Sequence, residues 1–240
     1  MEETLALARA AVAAGTRTIV ATPHIDHQWG VDPAQIEPGV VEVRSALAEA
    51  GIELEVLPGA EVALGRFVEL SQEERDGLRL GDGPYLLLES PHTEAAGNFD
   101  SYVRQLLDRS EDVLLAHPER CPTFLRRPER LERLVNAGVL CSITSASVSG
   151  RFGSAVRALA LDLLRRGMVH NVASDSHDAE KRGPGLREGL ESAERELPGI
   201  GAHASWLTEE IPAAILAGTD LPARPPLPRG RLRDRLLGRR

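Results

Sequence analysis

Residues 169–177 have the sequence VHNVASDSH, in which an apolar run, Val169–Ala173, leads into Asp175 and His177. A short run of this kind is typical of a strand that is buried on both faces of a parallel sheet. Side chains alternate along a strand with period two, so Asp175 and His177 point the same way. Carboxylates and imidazoles are both metal ligands. The stretch therefore predicts a buried strand whose end presents a metal-binding pair.

Five other short apolar runs lead into polar side chains in the same manner: Arg17–Ala21 into His24, Leu54–Leu57 into Glu61, Tyr85–Leu88 into Glu89, Val113–Ala116 into His117, and Val139–Ile143 into Thr144 and Ser145. Stretches with helical patterning lie between the runs: Glu2–Ala14, Val40–Ala50, Tyr102–Asp108, Pro128–Asn136, Ala155–Arg166 and Leu186–Leu197. Alternating strands and helices indicate a parallel sheet with helical crossovers.

The predicted fold is a distorted β/α barrel, similar to a TIM barrel. In such a barrel the carboxyl ends of all strands converge on one face, where active sites lie. Three imidazoles and three carboxylates should then meet in one cluster, although they are far apart in sequence. Imidazoles with carboxylates suit Mn²⁺, Fe or Zn²⁺, and such sites support hydrolysis by lowering the pKa of a bound water. The cluster therefore predicts a hydrolytic metal centre.

Four further histidines receive different interpretations. His27 and His92 lie in polar loops near the predicted site and either support the ligands or face a substrate. His170 begins a strand, so we expect it at the opposite end of the barrel in a structural role. His203 is expected at the surface.

Composition limits the remaining classes of protein. The chain has 240 residues, is 42% hydrophobic and contains no apolar run of the roughly 20 residues that cross a bilayer. A net charge of −8 argues against nucleic-acid binding. The acidic start, Met1-Glu2-Glu3, does not look like a signal peptide. Two cysteines fit a reducing compartment, so a cytoplasmic location is expected.

The chain is predicted to contain one domain, residues 1–220, followed by a basic tail, residues 221–240. The tail is rich in proline and holds seven arginines against Asp234, a net charge of +6. We interpret it as a flexible appendage. Two roles stay open: a solvated tail, or a basic segment that contacts anionic lipid or an acidic partner.

The motifs at the strand ends resemble a known family. They are Thr22-Pro23-His24, Gly59-Ala60-Glu61, Leu88-Glu89-Ser90, Ala116-His117-Pro118-Glu119-Arg120 and Ala173-Ser174-Asp175-Ser176-His177. This series resembles the PHP superfamily, named for polymerase and histidinol phosphatase, and in particular the bacterial capsule-biosynthesis tyrosine phosphatases of the CpsB/CapC type. The resemblance covers roughly Glu2 to Ala217.

The resemblance implies a metal-dependent phosphoric monoester hydrolase that acts on phosphotyrosine of a bacterial kinase controlling polysaccharide export. It implies Mn²⁺, with Fe or Zn²⁺ as alternatives, and two or three ions. The implied reaction is in-line attack of metal-activated hydroxide on phosphorus, without a phosphoenzyme. Arg120 and Arg182 match residues that hold the phosphate. The implied metal ligands are His24, Glu61, Glu89, His117, Asp175 and His177.

Alternatives to this function stay open. One is a small-molecule phosphatase of the same superfamily, acting for example on histidinol phosphate. Another is a catalytically impaired relative that serves as a binding protein. Relatives form ring assemblies, so an oligomer is compatible with the resemblance, although no sequence feature locates an interface.

The sequence departs from the family at its start. Members open with a strand that carries a His-x-His pair, whereas Met1-Glu2-Glu3 already reads as the helix after that strand. Either Met1 is internal to a longer protein, which we favour, or the strand is absent. Without that strand the barrel would have a seam with two unpaired edges, and its metal cluster would have fewer imidazoles.

Cys121 and Arg127 have the Cys-x5-Arg spacing of cysteine-dependent tyrosine phosphatases. That chemistry requires a loop whose backbone N–H groups face the phosphate and lower the thiol pKa. The intervening residues include Pro122, which lacks an N–H, and contain no glycine. We interpret the spacing as coincidental.

Overall fold

The computed structural model describes residues 1–93 and 98–226. Its strands all run parallel to their neighbours. They are β1 (Thr18–Ala21), β2 (His24–Ile25), β3 (Glu55–Pro58), β4 (Glu61–Ala63), β5 (Tyr85–Glu89), β6 (Asp112–Ala116), β7 (Leu140–Thr144) and β8 (Asn171–Ala173). Each of the six predicted apolar runs forms a strand, so the predicted parallel α/β arrangement is present.

The sheet contains two interrupted strands that the sequence interpretation did not separate. β1 pairs with β3, and β2 pairs with β4 inside a six-stranded sheet of order β2-β4-β5-β6-β7-β8. Thr18 is opposite Glu55 and His24 is opposite Glu61, so the pairing offset is unchanged across the break. Pro23 lacks an N–H for the ladder, which interrupts regular pairing there. As a result His24 and Glu61 begin new strand segments and do not lie in the loops that follow.

The outer strands of the sheet have one neighbour each. Within residues 1–93 and 98–226, β8 pairs only with β7, and the β1–β2 strand pairs only with β3–β4. Closure of the sheet into a barrel is therefore not observed in this part of the chain. Outer strands of a sheet are places where another segment can add a strand.

Helices cross between the strands. They are α1 (Glu2–Ala13), α2 (Ile36–Glu49), α3 (Leu64–Phe67), α4 (Gln72–Asp76), α5 (Phe99–Asp108), α6 (Pro122–Arg126), α7 (Pro128–Val135), α8 (Ser145–Ser149), α9 (Ser154–Arg165), α10 (Arg187–Glu196) and α11 (Ile211–Ala217). Short 3-10 turns occur at Pro33–Gln35, Pro118–Arg120 and Ile200–His203, and a π-helical turn, Trp206–Glu210, precedes α11. The six predicted helices are confirmed, with ends that differ by a few residues.

The core lies between the sheet and these helices. Val113, Leu114 and Leu115 of β6 are all buried, as expected for a strand covered on both faces. Phe99 of α5 meets Phe124 of α6 edge to face at 6.1 Å between ring centroids. In the described part of the chain, no helix is long and apolar enough to span a membrane.

The first residues of the predicted tail contact the domain. The Trp206 indole donates a hydrogen bond to the carbonyl of Pro222 at 2.9 Å. The Arg224 guanidinium lies 4.5 Å from the centroid of the Trp206 ring and donates to the carbonyl of Val169. Residues 221–226 are thus fastened against the amino end of β8. The remainder of the predicted tail, 227–240, lies outside the described residues.

Two histidines lie at this end of the sheet. His203 is 3% exposed, and its Nε2 donates to the carbonyl of Pro225 at 2.7 Å, so the prediction of a surface position is wrong. His170 accepts a hydrogen bond from the Cys141 amide at 3.1 Å. Burial, with help from Arg224, lowers the pKa of His170 to about 4. His170 therefore has the structural environment that was predicted for it.

Candidate metal centre

The register of the sheet brings the candidate ligands together. His24 on β2 is paired with Glu61 on β4, and Glu89 ends the neighbouring strand β5. Ala116, the last residue of β6, is paired with Glu89, so the next residue, His117, lies beyond the same sheet edge. Because all strands are parallel, these four side chains meet at the carboxyl end of the sheet.

Two candidate residues have unusual backbone conformations. His117 has φ 33° and Asp175 has φ 50°, and both follow the carboxyl ends of strands. Left-handed backbone is uncommon outside glycine and costs of order 1 kcal/mol per residue. The His117 amide is held by the carbonyl of Ser142 at 2.8 Å, which fixes this turn. Such turns occur preferentially where a side chain is positioned for function.

Glu61 and His117 form a buried pair. His117 Nε2 lies 2.7 Å from Glu61 Oε1, and both side chains are almost inaccessible to solvent. Burial opposes ionisation of both groups, but their hydrogen bond and mutual charge outweigh it. The pKa of Glu61 is therefore lowered and the pKa of His117 is raised. Each partner thus favours the charged form of the other.

Glu89 lacks a comparably close partner. Its Oε1 is 4.0 Å from His24 Nδ1 and 3.5 Å from His92 Nε2. Burial and the nearby charge of Glu61 raise the pKa of Glu89, against the opposing effect of His24 and His117. Two carboxylates in one partly buried site repel each other unless a cation lies between them.

The donor atoms fit a metal ion. His24, Glu61 and Glu89 offer ligand atoms that lie within 4.8 Å of one another, and so do Glu89, His92 and His117. In the part of the chain that the structure describes, Nδ1 of His24 and Nδ1 of His117 are buried without a hydrogen-bond partner. Buried polar atoms are rarely left unpaired in native proteins. Neutral imidazole nitrogens beside carboxylates are suitable ligands for Mn²⁺, Fe or Zn²⁺.

Asp175 lies on the other side of the site and is held by arginines. Its Oδ2 accepts hydrogen bonds from Arg120 at 3.0 Å and from Arg182 at 2.6 Å. His177 Nδ1 is 3.7 Å from Asp175 Oδ1, and the His177 ring lies 6.1 Å from that of His24. The six predicted ligands and both predicted arginines are therefore neighbours in one site.

A cavity of about 500 Å³ opens beside Asp175. It is lined by Asp175 and Arg182, by Phe152, and by residues of α1 and of the loop after β8. The Arg120 guanidinium lies 4.4 Å from the centroid of the Phe152 ring. Arg182 and Phe152 thus line the same cavity, and Arg120 lies against the Phe152 ring.

Comparison with known proteins places the chain in a family. Residues 1–206 match the family model described as capsular polysaccharide synthesis, CpsB/CapC. The chain belongs to the CpsB/CapC family. Curated relatives include tyrosine-protein phosphatase YwqE of Bacillus subtilis, which is 32% identical over 229 residues, 94% of this chain and 88% of that protein. Tyrosine-protein phosphatase CpsB of Streptococcus pneumoniae is 26% identical over 193 residues, 78% of this chain and 79% of that protein.

A solved structure supports the same assignment. It is one of the crystal structures of YwqE from Bacillus subtilis and CpsB from Streptococcus pneumoniae, which are metal-dependent tyrosine phosphatases. The TM-score is 0.78 at 30% sequence identity, and the match covers 96% of this chain and 92% of that one. The α/β fold with its parallel sheet is therefore the fold of a CpsB/CapC protein.

Sequence reasoning gave no ligand role to three residues of this CpsB/CapC site. His92 contacts Glu89 and His117, Phe152 lines the cavity, and Glu119 is fully buried. Glu119 accepts a hydrogen bond from the Thr144 amide at 2.9 Å and so ties the turn after β6 to the end of β7. Its position inside the motif 117–120 was a signal for this residue. His92 and Phe152 lie in segments without a diagnostic pattern.

The structure also bears on the Cys-x5-Arg spacing of this CpsB/CapC chain. Cys121 is 1% exposed, and burial raises the pKa of its thiol despite hydrogen bonds from Phe124 and Thr123. A nucleophilic cysteine needs a lowered pKa and access to substrate. Cys121 has neither, which agrees with the interpretation of the spacing as coincidental.

Proposed function

We propose that this chain is a metal-dependent tyrosine phosphatase. The observation that carries the proposal is the meeting of His24, Glu61, Glu89 and His117 beside two arginines. Family membership and similarity to two tyrosine-protein phosphatases support the reaction class. Similarity to the solved structure of a metal-dependent tyrosine phosphatase supports a metal ion as the cofactor.

The proposed metal ligands are those predicted from the strand ends: His24, Glu61, Glu89, His117, Asp175 and His177. Mn²⁺ is the proposed ion, with Fe or Zn²⁺ as alternatives, because all three accept mixed imidazole and carboxylate ligands. A bound divalent ion supplies Lewis-acid polarisation of the phosphoryl group and lowers the pKa of water at the site. The buried Glu61–His117 pair keeps two of these ligands in fixed positions.

Arg120 and Arg182 are proposed to hold the phosphate. Both guanidinium groups now converge on one carboxylate oxygen of Asp175, which occupies the position that an anion would take between them. A guanidinium fork binds phosphate oxygens in a bidentate manner and neutralises charge that grows during transfer. The backbone of Arg182 is held in position because the Asp178 carboxylate accepts a hydrogen bond from the Arg182 backbone amide at 3.1 Å.

The cavity beside these arginines favours an aryl phosphate. Phe152 presents a ring to the same cavity that Arg182 lines, and aromatic rings attract one another beyond their buried area. A phosphotyrosine side chain would place its phosphate at the arginines and its ring near Phe152. We propose that the phosphotyrosine belongs to a kinase of capsule synthesis in the cytoplasm. A β/α barrel remains the proposed architecture around the site.

The test is Mn²⁺-dependent hydrolysis of a phosphotyrosine peptide by chelator-treated protein. We expect turnover that returns with Mn²⁺ and falls about 10²-fold or more in Asp175→Ala, since one electrostatic group at a reacting phosphate is worth that much. Arg187→Met, an exposed position on α10, is the matched control. Preference for histidinol phosphate would identify a small-molecule phosphatase, and no turnover of any phosphomonoester would contradict the proposal.

A further inference from the structure

His92 lies against the candidate metal centre although no strand end supplies it. It follows Glu89 by three residues, in the segment between β5 and α5. Its Nε2 is 3.5 Å from Glu89 Oε1. Its ring is stacked on that of His117, with 5.0 Å between centroids and 19° between planes. One imidazole therefore contacts two of the residues that we propose as ligands.

The donor atoms of this group are close enough for one ion. Glu89, His92 and His117 offer one oxygen and two nitrogens within 4.8 Å of one another. Two ligands of a single Zn²⁺ lie at most about 4.2 Å apart, since each bond is about 2.1 Å long. The His92 side chain is 41% exposed, which gives it room for the small rotation required.

His117 has a nitrogen that lacks a partner in the described part of the chain. His117 is 4% exposed, and its Nε2 is engaged by Glu61. Its Nδ1 is buried, and within residues 1–93 and 98–226 no hydrogen-bond partner is present for it. A buried nitrogen in this state requires a partner, and a bound cation would supply one.

We propose that His92, Glu89 and His117 form a metal site for a divalent transition-metal ion, with Glu89 shared between this site and His24 and Glu61. His92 is the ligand that the family pattern does not supply. The proposal deepens the phosphatase assignment and rests on it for its biological role. Metal binding by His92 can nevertheless be measured without any substrate.

A purely structural role for His92 makes a different prediction. Its ring could serve only to orient His117 by stacking. His92→Phe keeps an aromatic ring against His117 but removes both nitrogens, whereas His92→Ala removes the ring as well. The first variant therefore separates ligation from stacking.

The control is another imidazole at the same end of the sheet. His27 is 64% exposed, and its Nε2 is 3.4 Å from Glu69, which is not one of the proposed ligands. His27→Ala removes a histidine that is more exposed than His92 and whose ion-pair partner is Glu69 rather than a residue of the group. Any general loss of metal affinity from removing a surface imidazole would appear in this variant too.

The experiment titrates the chelator-treated full chain with Mn²⁺, followed by the electron paramagnetic resonance of free Mn²⁺. We expect His92→Phe and His92→Ala each to weaken binding at least about tenfold or to remove one bound ion. We expect His27→Ala to bind like the wild type. Nitrogen modulation of the bound Mn²⁺ signal, which reports imidazole ligands, should decrease in His92→Phe. Circular dichroism checks that each variant is folded.

Each outcome has a definite meaning. Unchanged affinity, ion number and nitrogen modulation in His92→Phe would overturn the proposal, as would a wild type that binds neither Mn²⁺ nor Zn²⁺. Weakened binding in His92→Phe together with a wild type inactive on phosphotyrosine would uphold this site and reject the proposed function. Full phosphatase activity of the wild type, together with unchanged metal binding in His92→Phe, would uphold the proposed function and reject this site.

Discussion

The two halves of the candidate site balance their charges differently. In the half formed by His24, Glu61, Glu89 and His117, two carboxylates share the site, and buried imidazole nitrogens lack partners within the described residues. In the half around Asp175, two guanidinium groups already neutralise the carboxylate. We call these the imidazole half and the arginine half. The first is short of positive charge and the second is not.

This difference assigns the two halves different tasks. A half that needs a cation is suited to hold the metal, whereas arginines that can exchange a carboxylate for another anion are suited to hold a phosphate. Asp175 stands at the boundary, because it is both a proposed ligand and the present partner of the arginines. The comparison therefore predicts that changes in the two halves have separable effects.

The largest effect should follow Glu61→Gln, which breaks the imidazole half. The change removes one of the two central carboxylates, and with it the negative charge that holds His117. We expect kcat/KM for a phosphotyrosine peptide to fall about 10³-fold, with Mn²⁺ affinity at least about tenfold weaker. Steady-state kinetics and Mn²⁺ titration measure the two effects. Glu73→Gln, an exposed position on α4, should change neither. Unchanged Mn²⁺ affinity in Glu61→Gln would show that the imidazole half is not the part of the site that holds the metal.

A smaller effect should follow Arg182→Met, which breaks the arginine half. We expect kcat/KM to fall about 10²-fold because one guanidinium no longer faces the phosphate. Inhibition by inorganic phosphate should weaken in parallel, while Mn²⁺ affinity stays at the wild-type value. Arg182→Lys, which keeps the charge but not the fork, should lose less. A drop in Mn²⁺ affinity as large as the drop in kcat/KM would show that Arg182 serves the metal instead.

The smallest effect concerns the stability of the metal-free chain. The lowered pKa of Glu61 contributes stability that is present above its unfolded value of 4.5 and is lost as pH falls through its folded pKa. The raised pKa of His117 contributes stability that is full below 6.5 and is lost as pH rises through its folded pKa. The pair therefore stabilises the protein most between these two values.

Urea unfolding of the wild type and of Glu61→Gln across this range, with chelator present, measures that contribution. We expect the difference in unfolding free energy between the two proteins to be greatest between pH 4.5 and 6.5 and to shrink on both sides. Its change should be on the order of 1–2 kcal/mol, as for a hydrogen bond between charged groups. A difference that does not vary with pH would mean that the pair is not ionised.

The sequence was sufficient to predict the strands because each one lies in a short, mostly apolar run between helical segments. Each of the six predicted runs became a strand, although burial is complete only in β7 and nearly complete in β6. β2 and β4 were not predicted, because strands of two and three residues are too short to show an alternating pattern. These two short strands determine where the candidate ligands lie, because His24 and Glu61 are paired with each other in the sheet and do not lie in a loop.

The site could be predicted only where it depends on strand ends. His24, Glu61, Glu89 and His117 follow from parallel strands and their register. The contacts of Asp175 with Arg120 and Arg182 could not be derived from pattern, since they depend on how two loops fold. The position of His92 likewise depends on the path of the segment after β5. His203 was wrongly predicted at the surface, because residues 222–225 contribute to its burial and the sequence analysis assigned those residues to a flexible tail.

The fastening of residues 221–226 has a consequence for how the protein is made. These residues follow every strand in the described part of the chain, yet their partners, Val169 and Trp206, belong to the domain. During synthesis the chain emerges from its amino end. The amino end of β8 therefore stays without these contacts on the nascent chain until residue 226 is free of the ribosome, and a protein truncated before Pro222 would lack them.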